Sequence, residues 1–247
     1  MMKIDISIII ATYNAEAYLS IALESVKRQS FDNWECIVVD GLSTDNTMDI
    51  IEKYERSDNR IRHISERDKG IYDAFNKGWR LAKGTWVYYL GADDTIEPEA
   101  FKSLFELIKT DDDIVYGNVT YKHENELVYK KSVVNPDSVR CSLNCSHQGF
   151  IMKREAIENM NGFSENYFIC ADYDLILRAY MSGYTMRYYD VDISIFDAGG
   201  VSSSVKMEKE CFIIRKENHS ISGFLNSFIF SQRMLFFYLR KLRYSIR

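Results

Sequence analysis

Apolar runs of strand length and apolar residues at helical spacing alternate through the first 110 residues. Ile4 to Ala11 is a β-branched run, too short for a buried helix, and a polar break at Thr12-Tyr13-Asn14 ends it. Leu19, Ala22, Leu23 and Val26 then mark one helical face. Cys36 to Val39 predicts a second strand ending at Asp40, and Gly41-Leu42-Ser43-Thr44-Asp45-Asn46-Thr47 offers several helix N-caps before Ile50, Ile51 and Tyr54. A short strand over Ile61 to Ile64 breaks at Ser65 to Gly70, and Ile71, Ala74, Phe75, Gly78 and Leu81 trace a third helical face that stops near Gly84. The fourth apolar strand, ending at Leu90, runs into the adjacent carboxylates of Asp93 and Asp94. Pro98 stands where a first helical position is expected, ahead of Phe101, Leu104, Phe105 and Ile108.

Four strand–helix units in series predict a mainly parallel sheet covered on both faces. Ligands of such sheets lie beyond the carboxyl ends of the strands. Those ends carry Thr12 and Asn14, Asp40 and Ser43, Glu66 and Asp68, and Asp93 and Asp94. Paired acids at a strand end are unfavourable unless a cation or hydrogen-bonding ligand shares the site, and hard divalent cations with phosphate substrates often do. The alternative for the pair is an Asp-rich turn capping the next helix. Four polar clusters on one rim favour a site.

The second half is less regular. Asp113 to Tyr121 and Leu127 to Val134 have strand character, with Gly117-Asn118 as a candidate turn. A loop over 135–150 carries Asn144, His147 and Gln148. A short helix near Lys153 to Asn159 and a stop at Asn161-Gly162 precede Ala171-Asp172-Tyr173-Asp174, which opens a helix ending near Gly183. Thr185 to Tyr189 is a further candidate strand. From Ser220 to Arg247 no acid occurs, while Arg233, Arg240, Lys241, Arg243 and Arg247 interleave with Phe, Leu, Ile and Tyr. That composition suits a basic amphipathic helix on an anionic bilayer, or a terminal helix packed on the domain or on a second subunit, so an oligomer stays open. The expected division is 1–218, with a nucleotide half 1–110 and an acceptor half 111–218, followed by a tail 219–247.

A length of 247 residues suffices for one α/β domain with a substantial core. A net charge of −5 and the lack of a basic stripe in the first two hundred residues argue against a nucleic-acid partner. Five scattered cysteines suit a reducing compartment. Cys141, Cys145 and His147 lie close together but lack a second ligand pair for zinc. Met1-Met2-Lys3 leads directly into the first strand, so no leader is expected, and no apolar stretch is long enough to span a bilayer.

With these residues in hand the chain resembles the family 2 glycosyltransferases of the GT-A fold, and more narrowly the bacterial subset that assembles O-antigen or capsular repeat units. The resemblance covers about residues 4–205. It rests on Ser7 to Asn14, Val39 to Thr47, Ser65 to Gly78, Ala92-Asp93-Asp94 and Ala171 to Leu175, in the family's order. It implies a Rossmann-like α/β/α fold with a mixed, mainly parallel sheet and a helical basic tail. It also implies a nucleotide-sugar donor, UDP-linked by expectation, and a divalent metal, Mn²⁺ or Mg²⁺. The acceptor would be a polyprenyl-diphosphate-linked saccharide at the cytoplasmic face of the membrane.

A departing nucleoside diphosphate gains charge as the glycosidic bond breaks, and a divalent metal on its oxygens stabilises that charge. By resemblance Asp94 is the metal ligand, and Asp93 contacts the ribose or the metal's hydration shell. Asp40 accepts a base N–H, with Thr12 and Asn14 shaping that pocket. Glu16, Asp68 and Lys69 line the donor side, although a first-turn acid and a solvated charged loop are the ordinary readings of these three. Asp172 matches the general base of an inverting transfer, with Ala171 in place of the family's usual Glu. An N-cap role is compatible with it. His147 and Gln148 are candidate acceptor contacts. Two other functions compete: a sugar nucleotidyltransferase, for which a basic glycine-rich loop after the first strand is missing, and a non-catalytic nucleotide-sugar-binding subunit, against which Asp93, Asp94 and Asp172 all stand.

Overall fold

The computed structural model describes residues 4–123, 126–197 and 204–245. The first half follows the strand–helix alternation. In order come β1 (Ile6–Thr12), α1 (Leu19–Lys27), β2 (Trp34–Asp40), α2 (Thr47–Ser57), β3 (Ile61–Ser65), α3 (Ile71–Leu81), β4 (Trp86–Gly91), a two-residue β5 (Thr95–Ile96) and α4 (Ala100–Phe105). The second half holds β6 (Ile114–His123), β7 (Glu126–Lys130), β8 (Phe150–Lys153), α5 (Arg154–Asn159), α6 (Ala171–Met181), β9 (Met186–Asp197), α7 (Val205–Glu217) and α8 (Gly223–Ser245). One sheet runs β3-β2-β1-β4-β8-β6-β9-β5, with β7 paired to β6. Strands β3, β2, β1 and β4 are parallel. Beyond them β8 lies antiparallel to both β4 and β6, while β6 and β9 are parallel, so the sheet is mixed.

Side-chain alternation sends successive residues of each central strand to opposite cores. Ile9, Ile37, Val39, Val87 and Tyr89 pack with Phe75 of α3 and with Leu175 and Ile176 of α6. Ile8, Ile10, Val38, Tyr88 and Leu90 pack with Leu19 and Leu23 of α1 and Phe101 of α4. Burial on both faces is why these strands read as uninterrupted apolar runs.

Several details depart from expectation. Gly117-Asn118 is no turn: β6 runs through it, and the pairing with β9 shifts register there, as at a bulge. Gly117 fits because a Cβ would lie within 2.7 Å of Ile193 Cγ1. Pro98 precedes α4 by two residues and its carbonyl accepts the N–H of Ser30. The strand expected over Thr185 to Tyr189 extends to Asp197. Asn161 and Gly162 end α5 with φ of 57° and 69°. Among the described residues no group of three or more His, Cys, Asp or Glu side chains is placed to hold a metal ion.

The tail begins as a packed element. Phe230 of α8 packs tilted against Phe212 of α7 with ring centroids 5.1 Å apart, Asn226 Oδ1 accepts from the buried Arg215 at 2.7 Å, and Arg233 pairs with Glu208 at 2.8 Å. Arg233 is therefore turned to the protein. Farther along, Leu235, Phe236, Tyr238 and Leu239 are exposed. Arg240, Lys241 and Arg243 are described as helical backbone, and Arg247 lies outside the described residues. Among the described residues no helix is long and apolar enough to cross a membrane.

Close stacking of β4 on β1 depends on Gly84, where a Cβ would lie 2.6 Å from Ser7 N and 2.8 Å from Ile6 C. Backbone atoms of a central strand cannot yield as a side-chain tip does. Gly84→Ala is expected to lose about 1–3 kcal/mol, the range for overpacking, and to lower Tm by about 2–4 °C per kcal/mol, read by denaturant and thermal unfolding.

Candidate active site

The donor-side residues are woven between the first two strand–helix loops. Asn14, at φ 50°, accepts the Thr44 N–H on Oδ1 at 2.8 Å and donates its own N–H to Ser43 Oγ at 2.8 Å. Glu16 accepts from both the N–H and the side-chain amide of Asn46, at 2.9 and 2.8 Å. Thr12 ends β1 beside Asp40 and donates to it at 3.3 Å. Asp40 has no exposed surface; Ser65 Oγ donates to it at 2.6 Å, the Ser43 N–H at 3.1 Å, and the Ser43 hydroxyl as well. A base takes a hydrogen bond there only if Ser43 or Ser65 turns away.

The loop before α3 divides. Asp68 accepts the Gly70 N–H at 2.9 Å and lies over Gly41, where a Cβ would come within 2.6 Å of its Oδ2, so it joins the donor rim. Lys69 instead pairs with Glu165 at 2.7 Å. That pair is exposed and contributes little to stability.

The acidic doublet splits its two members by direction. Asp93 is exposed, whereas Asp94 is 1 % exposed and accepts from Gln148 Nε2 at 2.6 Å. Both carboxylates close over Gly91: a Cβ there would lie 3.0 Å from Asp93 Oδ1 and would overlap Asp94 Oδ2. A hard cation of the Mg²⁺ or Mn²⁺ type uses one or two carboxylates and completes its shell with water and phosphate oxygens. Two convergent carboxylates over a glycine, with no third protein ligand among the described residues, fit that requirement.

Asp172 comes from the opposite side, in the first turn of α6. Its Oδ1 accepts the Tyr173 N–H at 2.8 Å and the Tyr72 hydroxyl at 3.3 Å; its Oδ2 faces His147 Nδ1 at 3.5 Å. The side chain is 15 % exposed. Beside it a cavity of about 30 Å³ is walled by Tyr89, Phe150, Phe163, Leu175 and Ile176. Burial pushes the Asp172 carboxyl above its ordinary value, and His147, the Tyr173 N–H and the Tyr72 hydroxyl partly oppose the shift. Burial holds His147 below the ordinary imidazole value, against the pull of Asp172 and Asp93. A neutral ring with Nδ1–H toward the carboxylate leaves Nε2 as the lone-pair nitrogen, and Nε2 is buried without a partner. Gln148 is 2 % exposed and turned to Asp94, while His147 faces Asp172.

Three supporting residues carry no role in the sequence reading. Ser65 shares the clamp on Asp40, as its place at the end of β3 allows. Tyr72 lies inside a quoted motif, and its hydroxyl bridges the Ile169 carbonyl, at 2.6 Å, and Asp172. Glu210 of α7 accepts the N–H groups of Phe168, Ile169 and Cys170 at 3.2, 2.9 and 3.0 Å, just before α6. No local pattern announces Glu210, because its partners are distant in sequence.

Known proteins resemble this chain in sequence and in fold. The chain is 31% identical over 209 residues to a PGL/p-HBAD biosynthesis glycosyltransferase of Mycobacterium bovis (strain BCG / Pasteur 1173P2), covering 83% of this chain and 81% of that one. It is 27% identical over 220 residues to an Escherichia coli chondroitin synthase, covering 87% of this chain and 31% of that protein. Among solved structures, S. aureus TarS 1–349 in complex with UDP superposes with a TM-score of 0.70 at 19% identity, covering 93% of this chain and 70% of that one. The mannosyltransferase PcManGT from Pyrobaculum calidifontis, in complex with GDP-Man and Mn2+, gives 0.66 at 17% identity, covering 93% and 73%. These two likenesses show the fold. The model of Glycosyl transferase family 2 matches residues 7–182, well over half of the sequence, and the chain belongs to that family.

Proposed function

We propose that this glycosyltransferase is inverting and metal-dependent, and moves a hexose or N-acetylhexosamine from a nucleoside diphosphate, UDP foremost, to a lipid-linked saccharide in bacterial surface polysaccharide assembly. One observation carries the reading. The adjacent residues His147 and Gln148 face Asp172 at 3.5 Å and Asp94 at 2.6 Å, so an apolar-walled carboxylate and the acidic pair border one turn. Nucleotides in the TarS and PcManGT complexes, and Mn2+ in the second, support the donor class.

In this reading Asp172 takes the proton of the acceptor hydroxyl, and the raised affinity of its carboxylate for protons strengthens it as a base near neutral pH. Tyr72 and the Tyr173 N–H occupy one oxygen, leaving Oδ2 on the His147 side for the acceptor. Asp94 would hold the divalent metal, with Asp93 reaching the ribose or the metal's hydration shell, and the metal when bound would supply Lewis-acid stabilisation of the diphosphate. The linked loops of Asn14, Asp40 and Asp68 hold the nucleoside. Exposed Phe236 and Leu239 on α8, followed by basic residues, suit the cytoplasmic surface of an anionic membrane where a polyprenyl diphosphate lies.

A panel of nucleotide sugars with Mn²⁺, screened for hydrolysis and then for transfer to lipid-linked acceptors, tests the reaction; no turnover with any donor overturns it. Asp172→Asn is expected to lower kcat on the order of 10²- to 10⁴-fold while UDP binding persists. The base works only as a carboxylate, so the rate falls as pH drops through its raised pKa. Tyr72→Phe withdraws a donor that favours the carboxylate, so the acidic limb of the kcat profile moves to higher pH.

Asp94→Ala is expected to weaken Mn²⁺-dependent UDP binding in calorimetry by about tenfold or more, the cost of one lost charge-assisted contact. Removal of residues 235–247 spares the packed start of α8. It is expected to abolish co-sedimentation with vesicles rich in phosphatidylglycerol while leaving Tm unchanged; a full chain that never sediments with them contradicts the membrane role.

A further inference from the structure

The turn His147–Gly149 touches both halves of the rim. Gln148 donates to Asp94 Oδ2 at 2.6 Å between two residues that are almost wholly buried, and the adjacent His147 faces Asp172 Oδ2 at 3.5 Å. Three residues per turn send neighbouring side chains about 120° apart, which lets consecutive residues address separate carboxylates.

The backbone of the turn is held from two strands. Tyr88 of β4 and Ser194 of β9 both donate to the Gln148 carbonyl, at 2.9 and 3.0 Å, and the Gly149 N–H donates to the Ser146 carbonyl at 2.9 Å. A Cβ on Gly149 would lie 2.6 Å from Cys145 Sγ and 2.9 Å from Val119 Cγ2, so the turn sits tightly against the sheet. Gln148 Oε1 and His147 Nε2 are nonetheless buried with no hydrogen-bond partner. A leucine and a phenylalanine would avoid that penalty. The retained polar atoms call for a role, and the two carboxylates they adjoin supply one.

We propose that the His147–Gly149 turn is a positioning element that sets the donor-side Asp94 and the acceptor-side Asp172 together, Gln148 through its amide–carboxylate hydrogen bond and His147 through its imidazole. The proposal deepens the transferase reading and rests on it. Gln148 donates to the same Asp94 oxygen, Oδ2, that closes over Gly91, so its amide fixes where that carboxylate stands beside Asp93. Because one backbone carries both side chains, any displacement of the turn disturbs both carboxylates, and transfer geometry is sensitive to shifts of this kind.

Two measurements separate the halves. Calorimetric titration of UDP with Mn²⁺, without acceptor, reads the donor half without turnover; kcat at saturating donor reads the acceptor half. Gln148→Leu keeps the volume and loses the amide, and is expected to weaken UDP·Mn²⁺ binding about tenfold to a hundredfold, the range for a hydrogen bond to a charged group. His147→Phe is expected to leave that binding unchanged and to lower kcat about tenfold or more. Tyr88→Phe keeps the ring, removes one donor to the Gln148 carbonyl, and is expected to worsen both readouts. Gln148→Asn, a shorter amide out of reach of Asp94, replaces Gln148→Leu should thermal melting show that variant unfolded. Unchanged UDP·Mn²⁺ binding in a folded Gln148 variant overturns the proposal, as does a Tyr88→Phe variant altered in neither readout or in one alone. An unmodified protein that binds neither UDP nor GDP with Mn²⁺ overturns the donor reading itself and the proposal with it, so the two failures are told apart.

Discussion

One buried carboxylate ties the donor rim together. Asp40 receives hydrogen bonds from Thr12 at the end of β1, from Ser43 in the loop after its own strand, and from Ser65 at the end of β3. Burying a carboxylate costs several kcal/mol unless hydrogen bonds replace the lost water. Here the compensating donors come from three separate stretches of chain, and they are available only in the parallel register that sets Thr12, Asp40 and Ser65 side by side. A slip of one residue in either pairing would turn the donors away and leave the charge uncompensated. The loops that cradle the proposed nucleoside inherit their positions from this arrangement, since Asn14 and Glu16 bind the same loop that carries Ser43.

The acceptor side is built on different terms. Its proposed base, Asp172, is held not by strand register but by converging side chains from α3 and α7 and by the turn before β8. Strand β8 enters antiparallel between β4 and β6, and this reversal delivers His147 and Gln148 to the edge where β4 ends in Asp93 and Asp94. Tyr88 secures the junction: its ring packs on Phe101 beneath the sheet, and its hydroxyl reaches the Gln148 carbonyl. Packing and polar contact in one side chain thus connect the hydrophobic core to the carboxylates.

The parallel half was legible because every central strand is buried on both faces and every helix shows a single apolar stripe. Both are local patterns, visible without a partner. The rim was legible for the same reason, since a strand's carboxyl end is known once the strand is. What stayed hidden was direction. Asp93 and Asp94 are identical in type, and only the fold of the turn exposes one and buries the other against Gln148. Lys69, placed among the donor residues by its motif, swings to Glu165 because that acid is brought near from far along the chain. β8 was missed because three apolar residues between a polar loop and a short helix satisfy no periodic template. Gly117-Asn118 carried a turn signal that β9 overrides by pairing along the whole strand.

The placement of Asp172 also depends on chain that lies beyond the family match. The match ends at residue 182, yet Glu210 of α7 gathers the three amide N–H groups of residues 168 to 170, immediately ahead of the helix that presents Asp172. These N–H groups precede the first turn of α6 and have no partner within that helix. A buried carboxylate that accepts all three compensates its own desolvation and fixes the approach of the chain to α6. Tyr72 fixes the same stretch from the other side through the Ile169 carbonyl. Asp172 therefore sits where two independent hydrogen-bond sets agree, one from α3 and one from α7. The residues after the matched region thus act on the orientation of Asp172, the proposed base, as well as on any surface the tail adjoins.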